Sequence, residues 1–232
     1  MVLYKAFFFI VLAGIFISSG TADQTETPPD TQSAVTIETL FPMGKEWQWR
    51  YESKTRDGIS HYTTRYRGTF NREGEVFHLL SNPYGVSYYQ IGPDALKVKG
   101  VAPAEDLKNV NFYTTGDLTR LKYPLKKGDR WRGRALLDRE SDSVITNYAT
   151  EIIGWETITV PSGTYDALAT SSTVNTICVN REKGFGKGMI SRENQWYAPG
   201  VGLVRRTINF MYEKDKMTLY RDDRLQDYTH PR

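Results

Sequence analysis

Gly154-Trp155-Glu156-Thr157-Ile158-Thr159-Val160-Pro161-Ser162-Gly163-Thr164-Tyr165-Asp166-Ala167-Leu168 spells a strand, a reversal and a returning strand. Proline cannot donate to a β ladder, so Val160-Pro161 ends the first strand. Ser162-Gly163 makes the reversal, and the return places Tyr165, Ala167 and Ala169 on one face.

The same grammar runs outward in both directions. Glu46 to Tyr51 alternates, with Trp47, Trp49 and Tyr51 on one face. His61 to Phe70 alternates too, with Tyr62, Thr64, Tyr66 and Phe70 opposite Arg65 and Arg67. Hairpins are expected at Arg56-Asp57-Gly58, at Asn71 to Gly74 and at Gly92-Pro93-Asp94. Further strands are expected over 120–123, 130–136, 144–153, 156–160, 165–179, 189–197, 203–212 and 217–220. The helix candidate is the short stretch Pro103 to Val110. The fold class is therefore all-β: an antiparallel curved sheet, as an open half-barrel or a sandwich, with at most one or two short helices.

Phe41-Pro42-Met43-Gly44-Lys45-Glu46-Trp47 has a weak echo in Tyr123-Pro124-Leu125-Lys126-Lys127-Gly128-Asp129-Arg130-Trp131. Both read aromatic-Pro, a glycine turn, then a strand carrying Trp. Either two half-repeats (41–101 and 120–220) make one β domain over 35–232, or the same turn arose twice.

The N-terminus supplies an address. Lys5 precedes the apolar run Ala6 to Ile17, and Ser18-Ser19-Gly20-Thr21-Ala22 offers small residues for cleavage after Ala22. That run is too short to span a bilayer, so 1–22 reads as a signal peptide rather than an anchor. Residues 23–34, rich in Thr, Pro, Asp and Gln, read as a disordered tether. The expected location is periplasmic or secreted. Aromatic residues make up 13% of the chain, enough for a packed core. The net charge of +3 gives no reason to expect nucleic acid. Cys178 is the single cysteine, so no internal disulfide is available.

Tyr123-Pro124-Leu125-Lys126-Lys127-Gly128-Asp129-Arg130-Trp131, the 154–168 hairpin and Trp196-Tyr197-Ala198-Pro199-Gly200-Val201-Gly202 occur in that order. The series resembles a broad group of bacterial envelope proteins, many of them lipoproteins, with no common established reaction. The resemblance covers about 120–212 and implies a curved antiparallel sheet like that of periplasmic lipoprotein carriers. This chain has no cysteine directly after its apolar run, where lipoprotein members carry one.

Little in the residues points to catalysis. His61, His78 and His230 have no ligand spacing, Cys178 has no CxxC neighbour, and no metal or cofactor is expected. No Gly-x-Ser-x-Gly occurs. Glu105-Asp106 and Asp222-Asp223 are sequence neighbours whose side chains diverge on a strand. Lys183 to Gly188 lacks the following helix of a phosphate loop and reads as a mobile hairpin loop.

Two sets of residues remain as candidate sites. Lys126, Lys127, Arg130, Arg132 and Arg134 form the densest basic patch, either a solvated face or a contact for an anionic envelope partner. Trp47, Trp49, Tyr62, Tyr66 and Trp131 line one side of the expected sheet, and Arg206 shares parity with Val204, Ile208 and Phe210. A guanidinium on a buried face needs a carboxylate or a cavity. These six residues are the expected ligand site. The reading is an exported, non-catalytic binding protein for an apolar or amphipathic ligand such as a lipid. The alternatives are an envelope assembly protein and, third, a cell-wall hydrolase.

Overall fold

The computed structural model describes residues 35–104, 110–180, 184–212 and 216–230, without the side chains of 185–187, 211–212 and 216–220. The signal peptide and tether assigned to 1–34, and most of the helix expected at 103–110, lie outside the described residues.

The sheet is all antiparallel and closes on itself. Its strands are β1 (Gln48–Thr55), β2 (Gly58–Arg72), β3 (Glu75–Asn82), β4 (Gly85–Ile91), β5 (Ala95–Ala102), β6 (Asn111–Gly116) and β7 (Leu118–Lys122). They continue as β8 (Arg130–Asp138), β9 (Asp142–Val160), β10 (Gly163–Asn180), β11 (Gly184–Ala198), β12 (Gly202–Tyr212) and β13 (Lys216–Thr229). The order β4-β3-β2-β1-β13-β12-β11-β10-β9-β8-β6-β5 returns to β4, a closed ring of twelve strands, with β7 added beside β5. The expected open half-barrel or sandwich is thus corrected to a barrel. Closure removes the edges that an open sheet would leave unpaired.

The seam is narrow. β5 meets β6 only through Gly100↔Phe112 and Val101↔Asn111, and β6 then pairs with β8. At Gly116 the backbone has φ +70°, and a Cβ would lie 1.9 Å from the Arg134 carbonyl oxygen. Only glycine lets β6 lie this close to β8.

One helix, α1 (Ile37–Leu40), packs into the barrel core. Thr36 and Thr39 cap it reciprocally, and Ile37 and Leu40 are fully buried. They join one apolar cluster with Trp49, Leu80, Leu96, Ile152, Leu168, Val204 and Leu225, drawn from strands all round the barrel. The Pro199–Gly202 turn is tied to this helix and to β1. Gly200 donates to the Thr39 carbonyl, and the Val201 carbonyl accepts the Trp49 indole N–H at 2.7 Å. A second cluster, Phe77, Leu79, Val86 and Tyr88 under Phe112, covers the opposite face of β3–β5.

Two local expectations are corrected. A register shift between Tyr66 and Thr69 breaks the parity of β2, so Tyr66 pairs with Leu80 on one face and Phe70 with Phe77 on the other. Gly184 to Gly188 is not a loop but the start of β11, paired to the end of β10; Lys183 lies outside the described residues.

The outward faces carry charge: Arg50 and Lys54 on β1, Arg65 and Arg67 on β2, Arg130, Arg132 and Arg134 on β8, all exposed. A lipid-facing band would be apolar, because a cation at the bilayer midplane costs about 2–4 kcal/mol. Charge at these positions of β1, β2 and β8 does not fit such a band. Among the described residues, no helix is long and apolar enough to cross a membrane.

Candidate functional site

Inside the barrel, between β1–β4 on one side and β7, β11 and β12 on the other, lies a cavity of about 90 Å³ that opens to solvent. Trp49, Tyr51, Tyr62, Leu80 and Tyr89 form one wall. Phe41 contributes to it too, its ring 5.0 Å from that of Tyr89 and 6.2 Å from that of Tyr197. Arg120, Gln195, Tyr197 and Arg206 form the opposite wall.

The polar wall is built on alternation. β11 pairs Glu193 with Ile208 and Gln195 with Arg206 of β12, which puts all four on the inner face. Glu193 Oε2 is 3.4 Å from Arg120 Nη1 and 3.7 Å from Arg206 Nε, and it accepts from Gln195 Nε2 at 3.3 Å. Gln195 in turn accepts from the Tyr197 hydroxyl at 2.7 Å. Arg206 Nε has no hydrogen-bond partner. The arginine side chains keep 25% and 27% exposure, toward the cavity, while Glu193 keeps 9%.

Beside this wall stands a second ion pair. Arg221 Nε donates to Asp223 Oδ1 at 2.6 Å, and the guanidinium lies 4.8 Å from the Tyr62 ring centre and 4.4 Å from that of Tyr84. Asp223 is fully buried, and its Oδ2 has no hydrogen-bond partner. Its sequence neighbour Asp222 points the other way, to Arg205 and Arg224.

The electrostatics follow from this arrangement. Burial pushes the Glu193 carboxyl up, but Arg206 and Arg120 outweigh it and hold the group below the usual carboxylate range. Burial pushes the Tyr51, Tyr62 and Tyr197 hydroxyls up, Asp223 adding to the effect on Tyr62, and Tyr113 is pushed up to about 12 by burial. The phenols therefore stay protonated at neutral pH, and the carboxylates beside Arg120 and Arg221 favour the charged forms of these guanidiniums. Donors dominate the cavity wall.

Of the six residues expected to form the ligand site, Trp49, Tyr62 and Arg206 line the cavity. The other three lie elsewhere. Trp47 precedes β1, stacks on Trp49 and Tyr228, and meets the His230 ring at a tilt. Tyr66 hydrogen-bonds His78 Nδ1 at 3.2 Å, and Trp131 donates to the Thr119 carbonyl at 3.0 Å. The basic patch lies outside the barrel. Arg130 pairs with Glu151 at 2.9 Å, whereas no carboxylate among the described residues pairs with Arg132 or Arg134. They edge a shallow outer trough with Asn147 and Asn175. Cys178 is half-buried and unpaired, its thiol pushed up by burial. Among the described residues, no group of three metal-ligating side chains comes together.

Arg120 and Glu193 escape a reading of the sequence. Glu193 was legible in principle, since it alternates with Ser191, Gln195 and Tyr197 on one face. Arg120 sits on a five-residue strand where no alternation is long enough to read.

These features define a closed antiparallel barrel with a charged interior site, and one solved structure of 0.50 TM-score shares its fold. No family model and no curated protein matches the chain. Among solved structures, a candidate lipoprotein from Parabacteroides distasonis superposes with a TM-score of 0.50 at 15% identity, covering 85% of this chain and all of that one. A candidate exported protein with YmcC-like fold from Bacteroides fragilis covers the same shares at 12% identity and a TM-score of 0.38.

Proposed function

We propose that this chain is an exported, non-catalytic binding protein that holds one end of a small amphipathic molecule inside its barrel. The observation that carries the reading is the cavity between the Phe41–Trp49–Tyr62 wall and the Arg120–Arg206 wall, apolar on one side and cationic on the other. Its volume is well below the roughly 300–1,000 Å³ of pockets that enclose drug-sized ligands, so a lipid enters by one end rather than whole. The non-catalytic part rests on the carboxylates nearest the cavity. Glu193 and Asp223 are each engaged by arginine, and the arginines hold the Glu193 carboxyl below the usual carboxylate range, where it serves poorly as a general acid. Export rests on the N-terminal address and on the fold shared with a candidate lipoprotein.

Native mass spectrometry of the mature protein, purified from its own exported fraction, tests this. The reading expects a reproducible extra mass that organic solvent removes. A bare protein mass that stays bare after exposure to envelope extract sinks it.

A second reading has its own observation: Arg132 and Arg134 on the outer face, with no carboxylate partner among the described residues. They suit contact with an anionic envelope surface. Cosedimentation with anionic vesicles should then fall sharply in the Arg132→Glu, Arg134→Glu variant; equal cosedimentation removes this reading.

A further inference from the structure

The inner charges do not balance, and we infer from this that the group held by Arg120 and Arg206 is a carboxylate. The inference rests on the binding reading above and names the ligand's chemistry. Among the described residues, Arg120, Arg206 and Arg221 face two inner carboxylates, Glu193 and Asp223. Asp223 is committed to Arg221 at 2.6 Å. Glu193 is therefore shared between two guanidiniums, at 3.4 and 3.7 Å, both longer than a charge-assisted hydrogen bond. One positive charge is left over beside the cavity, and Arg206 Nε, closed off from solvent, has no hydrogen-bond partner.

Geometry narrows the class. A guanidinium presents a planar fork of donors that matches a carboxylate in bidentate fashion. The neighbouring hydroxyl of Tyr197 is already spent on Gln195, and that of Tyr51 on the Leu203 carbonyl at 2.7 Å. A single surplus charge matches a monoanion better than a phosphate ester, which carries about −1.5 to −2 at neutral pH. The cavity has room for a carboxylate and a short stem, and Phe41, Trp49 and Leu80 give the stem apolar contact. The ligand class is a monocarboxylate on an apolar stem.

Calorimetric titration of the mature protein at low salt tests this with acetate, butyrate, hexanoate and octanoate, the matching alcohols and amines, and inorganic phosphate. The carboxylates should bind, more tightly as the stem grows to fill the cavity, and the alcohols and amines should not. Arg206→Gln should weaken butyrate at least tenfold, Arg206→Lys less, and Lys54→Gln on the outer face of β1 not at all. Circular dichroism checks that each variant is folded. Glu193→Gln supplies the opposite sign: with its carboxylate gone, the two guanidiniums should bind butyrate several-fold more tightly. Alcohols binding as well as carboxylates, phosphate binding more tightly than butyrate, or a folded Arg206→Gln variant with unchanged affinity would each overturn the carboxylate. A neutral compound extracted from the exported protein overturns the carboxylate but leaves the binding reading standing. Failure of every probe, together with a bare mass from the exported fraction, overturns both.

Discussion

The indole N–H of Trp49 donates to the Val201 carbonyl at 2.7 Å, joining positions 152 residues apart in the chain. This bond fastens the first strand to the Pro199–Gly202 turn, which in turn holds α1 through Gly200 and Thr39. Trp49 thus braces the barrel core and one wall of the cavity together.

Trp49→Phe keeps an aromatic ring but strands a buried carbonyl. The expected loss is about 1–3 kcal/mol, read as a lower urea midpoint with an unchanged slope. An unchanged midpoint would mean the bond contributes nothing.

Arg221→Gln leaves the fully buried Asp223 without its cation. Breaking such a pair costs about 3–5 kcal/mol, whereas replacing both partners with apolar residues is often close to neutral. Arg221→Met with Asp223→Leu should therefore be more stable than Arg221→Gln alone in chemical denaturation. The reverse order would show that the pair stabilises the fold beyond mutual compensation.

Gly133 lies under the Tyr148 ring, and a Cβ there would sit 2.4 Å from the hydroxyl oxygen. That hydroxyl accepts the Thr119 N–H at 3.1 Å, so moving the ring also breaks a bond to β7. Gly133→Ala should cost about 1–3 kcal/mol, as overpacking does. The added cost should shrink when Tyr148→Leu removes the ring first. Additive effects of the two changes would contradict the contact.

Acid should weaken this fold through two carboxylates. Glu193 and Asp222 are both held below their ordinary range by arginines, against the upward push of burial. A carboxyl whose folded pKa lies below its unfolded one stabilises the fold above the unfolded value, and that stability is lost as pH falls through the folded value. The urea midpoint should be flat near neutrality and drop below about pH 4.3, the ordinary glutamate range. Glu193→Gln should lower the neutral midpoint and flatten the acid limb. A variant with the parent's full acid limb would show that Glu193 does not drive it.

Strand alternation made most of the barrel legible. Trp49 and Tyr51 do face inward, and the 154–168 reversal falls at Pro161-Ser162 between β9 and β10. Closure was not legible, because it depends on a two-pair seam and on β6, whose Asn-Phe-Tyr-Thr-Thr-Gly has no clear period. The end of β13 was missed for a different reason. Arg221-Asp222-Asp223-Arg224 has no apolar residue to extend the strand expected over 217–220, yet alternation sends Arg221 and Asp223 inward as a pair and Asp222 and Arg224 outward as another. Arg206 announced itself as a guanidinium on an apolar face. Its partner Glu193 did not, since pairing across strands is set by a register that one strand alone does not reveal.

The decisive measurement is a crystal structure of the protein purified from its own exported fraction. The expected result is a twelve-strand ring closed at Gly100–Phe112, with non-protein density between Arg120 and Arg206. An open seam, or a cavity holding only water between those guanidiniums, would contradict it.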